Sequence, residues 1–349
     1  MANLVSLLAT YPKGLWESLI RTFSDGVGNY IWGIILLTLV IKVCLLPIDF
    51  LQRYTTTSFS RQQAYLEPQK QKLEKRYAKN PKVLNEALNK LYKENNVKMG
   101  SSCLLMLVSL VLNIVVLLTF WNGMTAVSNY HVAEQYTKYK EQYTIVYDQS
   151  ITEGKSIDEA TTLGQQAVLD HYDDINTGFL WIKNIWKADS PFVKAVPTFD
   201  EWVKLSKTKY ESDTAKAEAK TEYETIMKLV MENKQQVNGY FILPILVVAL
   251  MVVSQIIMRK SQMPPKEKLD MMTEEQKKSL KSGKGMMIAL PIIYAIFMIS
   301  TASLFAFYIF VSSLISTATT PLITKVVNLI EKKKDAKRQE EITVSYRRK

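Results

Sequence analysis

The amino-acid sequence predicts an all-α polytopic membrane protein with five transmembrane helices, a polar groove open to the cytoplasm, a cytoplasmic helical hairpin and a helical extracytoplasmic insertion. Four long apolar tracts predict the spanning helices, because about 20 apolar residues in a helix cross the roughly 30 Å hydrocarbon core of a bilayer. Strongly charged segments separate the tracts, so the mean hydropathy of the 349 residues is only -0.02. The sign of those charges predicts which segments stay in the cytoplasm.

The apolar tracts are long enough to count the spans. The first, Tyr30 to Leu51, has 22 residues and would extend about 33 Å as a helix. The second and third, Ser101 to Met124 and Gly239 to Met258, have the same character. The last runs from Gly285 to about Val327 and has 43 residues, twice what one span requires. Small polar residues at 300–303 interrupt it, so we predict two spans joined by a short turn.

Basic residues are unevenly distributed among the segments between the spans. Lys and Arg outnumber Asp and Glu by 11 to 4 in 52–100, by 8 to 4 in 259–284 and by 9 to 4 in 325–349, whereas 126–238 has 13 basic and 18 acidic residues. Because basic loops remain in the cytoplasm, the acidic segment and the N-terminus are predicted to lie outside, and the C-terminus inside. The simplest location for such a multi-pass chain is a bacterial plasma membrane.

The predicted organisation follows from these boundaries. In chain order it comprises an extracytoplasmic N-terminal amphipathic helix (1–29), a first span (30–51), a basic cytoplasmic helical hairpin (52–100), a second span (101–124), an extracytoplasmic helical cap (125–238), a third span (239–258), a cytoplasmic loop (259–284), a fourth span (285–300), a fifth span (303–327) and a basic cytoplasmic tail (328–349). The hairpin is predicted to be a mobile arm, because its helices share only a narrow apolar stripe. Trp181 to Trp186 is expected at the membrane interface, where tryptophan concentrates.

Polar residues within the spans are the candidate functional residues. Lys42 is the most informative, because a charge in hydrocarbon is costly unless it is solvated. The other candidates for a shared polar face are Thr38, Ser109, Asn113, Ser254, Gln255, Ser312 and Ser316. Hydrogen bonding between helices explains Ser and Thr in a span, but not a lysine. Two explanations for Lys42 stay open: the side chain snorkels toward the cytoplasmic boundary, or it lies in a hydrated groove open to the cytoplasm.

The sequence contains no constellation of residues typical of an enzyme or a metal centre. His131 and His171 lack clustered partners, and Cys44 and Cys103 lack metal-ligand spacing. There is no glycine-rich phosphate loop, no GxSxG motif and no HExxH motif. We therefore expect neither an enzymatic activity, nor a cofactor, nor a metal site.

The order of these features resembles the YidC/Oxa/Alb family of membrane-protein insertases. ThrLeuValIleLys (38–42) followed by LeuLeuPro (45–47) is similar to the family's first core span, and the basic segment 65–77 is similar to its helical hairpin. The stretches similar to later parts of the family are FLWIKNIW (179–186), YFILPIL (240–246), MMIALPII (286–293) and FYIFVSSLIS (307–316). Two features depart from the family: Lys42 occupies a position that is typically arginine, and the outer segment is longer than in its compact members.

The resemblance implies a protein that moves nascent membrane proteins from the cytoplasm into the bilayer without nucleotide hydrolysis. Lys42 would then be the counter-charge, in a hydrated groove, for the polar or acidic tail of a substrate. The implied partners are nascent membrane proteins, the ribosome and, as a further candidate, a Sec-type translocon. The basic tail would bind ribosomal RNA or, alternatively, anionic membrane lipids, through Lys332, Lys333, Lys334, Lys337 and Arg338.

A transporter or channel that binds an anionic solute at Lys42 is the alternative function. Many transporters are built from internal repeats and place discontinuous helices at the midplane of the membrane. The sequence shows neither an internal repeat nor paired interrupted spans, which disfavours this alternative.

Overall fold

The computed structural model describes residues 11–78, 80–95, 99–262 and 291–347. Within these residues the regular secondary structure is helical, and the only β structure is two isolated bridges. The helices are α1 (Leu15–Val27), α2 (Tyr30–Arg76), α3 (Pro81–Glu94), α4 (Met99–Thr152), α5 (Ile157–Asp170), α6 (Tyr172–Ile175), α7 (Phe199–Ser206), α8 (Asp213–Lys234), α9 (Ile242–Gln262), α10 (helical over 291–299) and α11 (Ser303–Arg347). The predicted all-α class is confirmed for the described residues.

Three helical segments in the described part of the chain are long and apolar enough to cross a membrane: Tyr30–Gln62, Leu107–Thr152 and Ser303–Lys334. Ile242–Ile257 is apolar but shorter. The predicted fourth span, 285–300, lies partly outside the described residues, so the five-span arrangement stays a prediction. Large apolar side chains on the spanning segments are exposed, as lipid-facing residues would be.

The chain divides into two compact units, which are described separately. Unit 1 takes in the described residues within Met1–Thr38, Thr119–Gln255 and Pro264–Leu314, and unit 2 takes in those within Leu39–Leu118, Ile256–Met263 and Ile315–Lys349. The long helices α2, α4 and α11 each contribute residues to both units.

In unit 1, the residues of the cap segment (125–238) form a small helical core in which α5 packs against α8. Aromatic rings fill this core: the centroid of Tyr136 lies 4.8 Å from that of Trp202 and 4.7 Å from that of Tyr223. Ser156 and Thr198 begin α5 and α7 with reciprocal capping boxes, which satisfy backbone N–H groups that a helix start leaves without partners. These local signals explain why the polar segment folds as separate short helices.

Unit 1 also contains α1, which packs closely against the start of α2. A side chain at Gly33 would bring its Cβ within 2.6 Å of the Ser24 Cα, so only glycine permits this approach. Trp16 of α1 contacts Phe120 of α4 with ring centroids 5.2 Å apart, and Phe120 contacts Tyr308 of α11 at 4.3 Å. Aromatic contacts therefore connect α1 to two of the long helices.

Unit 2 contains the part of α2 that comes after Thr38, and the helix α3 that turns back from it. α2 continues to Arg76 although it contains two prolines, and α3 begins at Pro81. Asn80 caps α3, since its side chain accepts a hydrogen bond from the Val83 N–H at 3.4 Å. Proline at the first helical position adds to this start, because its missing N–H would have no partner there. No residue of α3 is fully buried, so α3 has little apolar contact to hold it.

Candidate functional site

Lys42 of α2 forms a hydrogen bond with Ser316 of α11 inside unit 2. Its ammonium nitrogen donates to the Ser316 Oγ at 2.9 Å, and the side chain is half-buried. An ammonium has three N–H donors. The described residues supply no second hydrogen-bond partner and no ion pair for Lys42. The carboxylate of Asp49 attracts its charge electrostatically without direct contact. Two donors of Lys42 therefore remain available to water or to an anionic group.

A second polar contact in unit 2 joins α2 to α4. The Ser109 hydroxyl donates to the Gln52 side-chain oxygen at 2.8 Å, and the Asn113 amide donates to the Ser109 carbonyl at 2.8 Å. Ser109 is buried, whereas Asn113 is exposed among apolar residues of α4. Of the predicted site residues, unit 2 thus pairs Lys42 with Ser316 and Ser109 with Asn113.

The other four predicted site residues of the spans lie in unit 1. Thr38 is fully buried, and its hydroxyl donates to the Ile34 carbonyl of its own helix at 2.6 Å. Ser312 lies one turn after Tyr308 on α11, where its side chain acts on the tyrosine hydroxyl. Ser254 and Gln255 are half-buried, and the buried Gln255 Oε1 has no hydrogen-bond partner in the described part of the chain. Thr38 therefore uses its hydroxyl locally, while the Gln255 oxygen is left for water or another group.

Several polar partners in unit 2 were missed by the sequence analysis, because it ended the first span at residue 51 and assigned the residues after it to a separate hairpin. Arg61 of α2 donates to the Asn328 side-chain oxygen of α11 at 3.4 Å. Tyr54 of α2 hydrogen-bonds to Lys334 of α11, whose ammonium also lies 4.7 Å from the tyrosine ring centroid. The uninterrupted helical pattern after residue 51 could have shown that α2 continues, but not which residues of α11 it contacts.

The predicted tail residues are only partly described. Lys332 and Lys333 are exposed. Lys334 contacts Tyr54, and its ammonium lies 3.8 Å from a carboxylate oxygen of Glu331. The side chains of Lys337 and Arg338 lie outside the described residues, so the tail stays a predicted contact for the ribosome or lipid.

A buried carboxylate in unit 1, Asp189, holds the start of α9. Its two oxygens accept hydrogen bonds from the backbone N–H groups of Tyr240 at 2.8 Å and Leu243 at 2.7 Å, and Asp189 is only 1% exposed. Between these two residues Phe241 has φ of 61°, a conformation that is strained for a bulky side chain. A negative charge is also favourable at a helix N-terminus. Asp189 therefore offsets both the strain and the unpaired donors.

Asn238 completes this arrangement, which we call the Asp189 clasp (Asp189, Asn238 and the backbone of 184–188). Asn238 is fully buried, and its amide donates to the carbonyls of Asn184 at 2.9 Å and Ala188 at 2.8 Å. Its oxygen accepts from the Asn184 N–H at 2.7 Å. The Ser303 backbone and hydroxyl donate to the Lys187 carbonyl at 2.8 Å and 2.6 Å. The clasp therefore ties one loop to the first residues of both α9 and α11.

Trp186, beside the clasp, is buried inside unit 1. Its side chain is 2% exposed, and its ring stacks on His131 with centroids 4.1 Å apart, while Tyr30 meets it edge-on at 4.8 Å. Packing within unit 1 encloses the ring, and the expected position of 181–186 at the membrane interface stays a prediction. His131 is in turn within 2.8 Å of Glu134.

The described residues contain no group of His, Cys, Asp or Glu side chains arranged to hold a metal ion. Cys44 is exposed and not in a disulfide.

Comparison with known proteins shows which family this chain resembles. The family model described as 60Kd inner membrane protein matches residues 22–332. Curated relatives named membrane protein insertase YidC include those of Clostridium perfringens, 34% identical over 110 residues (32% of this chain and 44% of the relative), and Fusobacterium nucleatum, 33% identical over 106 residues (30% and 50%). A relative of that name from Thermotoga maritima is 35% identical over 86 residues (25% and 18%). The chain matches about half the length of these relatives or less.

Proposed function

Because the chain belongs to the 60Kd inner membrane protein family, we propose that it is an insertase of the bacterial plasma membrane. It moves nascent membrane proteins from the cytoplasm into the bilayer without nucleotide hydrolysis. The name membrane protein insertase YidC, which its relatives carry, supports this proposal. The structural observation that carries it is Lys42, whose ammonium is bound by Ser316 alone among the described residues.

In the proposed mechanism, the face of α2 that carries Lys42 and the face of α11 that carries Ser316 line a hydrated groove, which opens to the cytoplasm. The polar or acidic tail of a substrate enters this groove and keeps part of its hydration. The two unoccupied donors of Lys42 supply a counter-charge, which lowers the cost of moving the tail out of bulk water. The apolar segment of the substrate then enters lipid, and its burial drives the step.

The proposed function also includes an orientation of the chain in the membrane and a set of binding partners. Five spans would put the two termini on opposite sides of the membrane, and the distribution of basic residues favours the cytoplasm for the C-terminus. Thr38, Ser254, Gln255 and Ser312 of unit 1 stay candidate substrate contacts on the sequence pattern alone. The hairpin and the basic tail would recruit the ribosome, and a Sec-type translocon is a further candidate partner.

The test is insertion into liposomes by the purified protein, scored by protease protection of a one-span substrate. The substrate's translocated tail carries no, one or two Asp residues. Lys42→Arg should retain insertion. Lys42→Met, an unbranched uncharged side chain one atom shorter than lysine, should impair insertion of substrates with acidic tails more than of substrates with neutral tails. Lys42→Glu should impair the insertion of substrates with acidic tails most, because two negative charges then meet where water is scarce. Lys216→Met, at an exposed position of α8, is the matched control and should behave as wild type.

Equal insertion by wild type and Lys42→Met at every tail charge would exclude Lys42 as the counter-charge. The same liposomes also test the alternative function. If Lys42 instead serves a transporter or channel, the protein will increase the flux of small anions, Lys42→Met will abolish that flux, and no substrate protein will be inserted.

A further inference from the structure

A cavity of about 400 Å³ lies in unit 2 beside the second half of α11. Its apolar wall is formed by Ile257 of α9 together with Pro321 and Leu329 of α11. The α11 residues that line it recur at intervals of one to four positions from 320 to 332, so they occupy one face of the helix. This face covers the last turns of the apolar segment Ser303–Lys334, where a spanning helix leaves the hydrocarbon.

Two lysines give the cavity a positive charge. Lys325 and Lys332 both line it and are both exposed, and they are separated by about 10 Å along the helix. Neither forms an ion pair with a described residue, and the cavity has no acidic lining residue. Glu331, the neighbouring acid, is 5% exposed and lies 3.8 Å from the ammonium of Lys334, so another lysine offsets its charge.

The remaining polar groups of the cavity complement the two cations. The Asn328 oxygen accepts from Arg61 at 3.4 Å, so the two N–H donors of its amide remain for an acceptor in the cavity. The Thr324 hydroxyl donates to the Thr320 carbonyl at 2.8 Å, so its oxygen can accept from a hydroxyl group. One face of α11 thus combines cations, N–H donors and a hydroxyl acceptor with an apolar wall.

We propose that this cavity binds the headgroup of an anionic phospholipid, with the phosphodiester between Lys325 and Lys332 and the acyl chains along Ile257 and Leu329. A phosphodiester offers the acceptors that the lysines and Asn328 require, and a glycerol headgroup offers a hydroxyl to Thr324. The apolar wall favours a lipid over free phosphate or RNA, because neither of those has hydrocarbon to cover it. Placement in the cytoplasmic leaflet rests on the proposed orientation, but binding itself does not depend on the insertase function.

The experiment is a titration of the detergent-purified full chain with phosphatidylglycerol, monitored by native mass spectrometry. Phosphatidylcholine, glycerol phosphate, inorganic phosphate and a short oligoribonucleotide are the comparison ligands. The double variant Lys325→Gln with Lys332→Gln should weaken phosphatidylglycerol binding roughly 30-fold, since each basic residue near an anionic surface contributes about a factor of five. The control Lys216→Gln with Lys228→Gln removes the same charge at two exposed positions of α8, outside the cavity, and should leave binding within about twofold of wild type.

Leu329→Ser separates a lipid site from a simple phosphate site. It should weaken binding of phosphatidylglycerol but not of glycerol phosphate, because only the lipid covers the apolar wall. The proposal is overturned if both double variants weaken phosphatidylglycerol binding equally, or if neither does. It is also overturned if the cavity variant loses only inorganic phosphate or only the oligoribonucleotide, since the site would then serve a free anion or RNA.

Discussion

Asp189→Asn is a small change that should loosen the first turn of α9. The substitution keeps the shape of the side chain, but an NH₂ group replaces one of the two carboxylate oxygens. One oxygen of Asp189 accepts the Tyr240 N–H, and the other accepts the Leu243 N–H. Whichever way the new amide turns, one backbone donor therefore faces another donor in a buried site. The backbone of Gly239 packs directly against Asp189, since a Cβ at this position would overlap the Asp189 carboxylate.

The expected cost comes from the groups that lose partners. A hydrogen bond to a charged group contributes about 1.5 to 3 kcal/mol. Loss of the negative charge at the helix N-terminus adds about 0.3 to 1 kcal/mol. The strain at Phe241, with φ of 61°, would also be held less firmly. We therefore expect local opening to become easier by about 2 to 4 kcal/mol, or roughly 30- to 1,000-fold in the opening equilibrium.

Hydrogen exchange measured by mass spectrometry on the protein in nanodiscs tests this prediction. Amides of residues 236–245 should exchange faster in Asp189→Asn in proportion to the opening equilibrium, because their exchange reports local opening. Peptides from α8 should be unchanged. Asp148→Asn, at an exposed position of α4, is the matched control and should exchange as wild type. An increase below about threefold in 236–245, or an equal increase throughout unit 1, would refute the assignment of Asp189 as the residue that holds α9.

Three further predictions concern charge and the hairpin. The pKa of Glu134 is held below its ordinary value of 4.5, first by the hydrogen bond with His131, so its stabilising effect is present above pH 4.5 and lost as the pH falls through the lowered pKa. The difference in melting temperature between wild type and Glu134→Gln should therefore shrink on acidification below pH 4.5, and a constant difference would contradict it. Replacing all five tail residues, Lys332, Lys333, Lys334, Lys337 and Arg338, by Gln should abolish salt-sensitive cosedimentation with ribosomes, and unchanged cosedimentation would leave lipid binding as the role of the tail. Replacing residues 67–92 by a Gly/Ser linker should reduce insertion while circular dichroism shows the other helices intact, and general loss of helix would contradict a mobile arm.

The sequence predicted those features of the fold that have local causes. Apolar tracts form helices because a helix satisfies its own backbone hydrogen bonds, and the break before α11 has its cause in the small polar residues at 300–302. Asn80 and Pro81 likewise stop one helix and start the next. Lys42 could be recognised as a candidate because its charge is exceptional in its surroundings, whatever the tertiary structure.

The side-chain contacts of the site could not be predicted from the sequence, because they join distant positions. Lys42 and Ser316 are 274 residues apart, and Ser109 and Gln52 are 57 apart, so periodicity within one helix says nothing about either contact. Asp189 was not among the predicted site residues, because an aspartate in a polar loop is ordinary until the fold buries it. The stacking of Trp186 on His131 was equally invisible in the sequence, because it joins positions 55 residues apart.

The geometry of Lys42 bears on which of its two explanations is better. A snorkelling lysine would extend along its own helix toward Asp49, about 10 Å nearer the predicted boundary. The ammonium instead donates to Ser316 on a different helix and forms no ion pair with Asp49 in the described structure. One hydrogen bond to a neutral hydroxyl contributes about 0.5 to 1.5 kcal/mol, less than the roughly 2.5 to 3.5 kcal/mol that a lysine costs near the centre of a span. Ser316 alone therefore does not offset the charge, and the balance has to come from water or from an anionic group at the two remaining donors. A hydrated groove supplies both, which is why the dependence of insertion on the charge of the substrate's tail is the measurement that separates the two explanations.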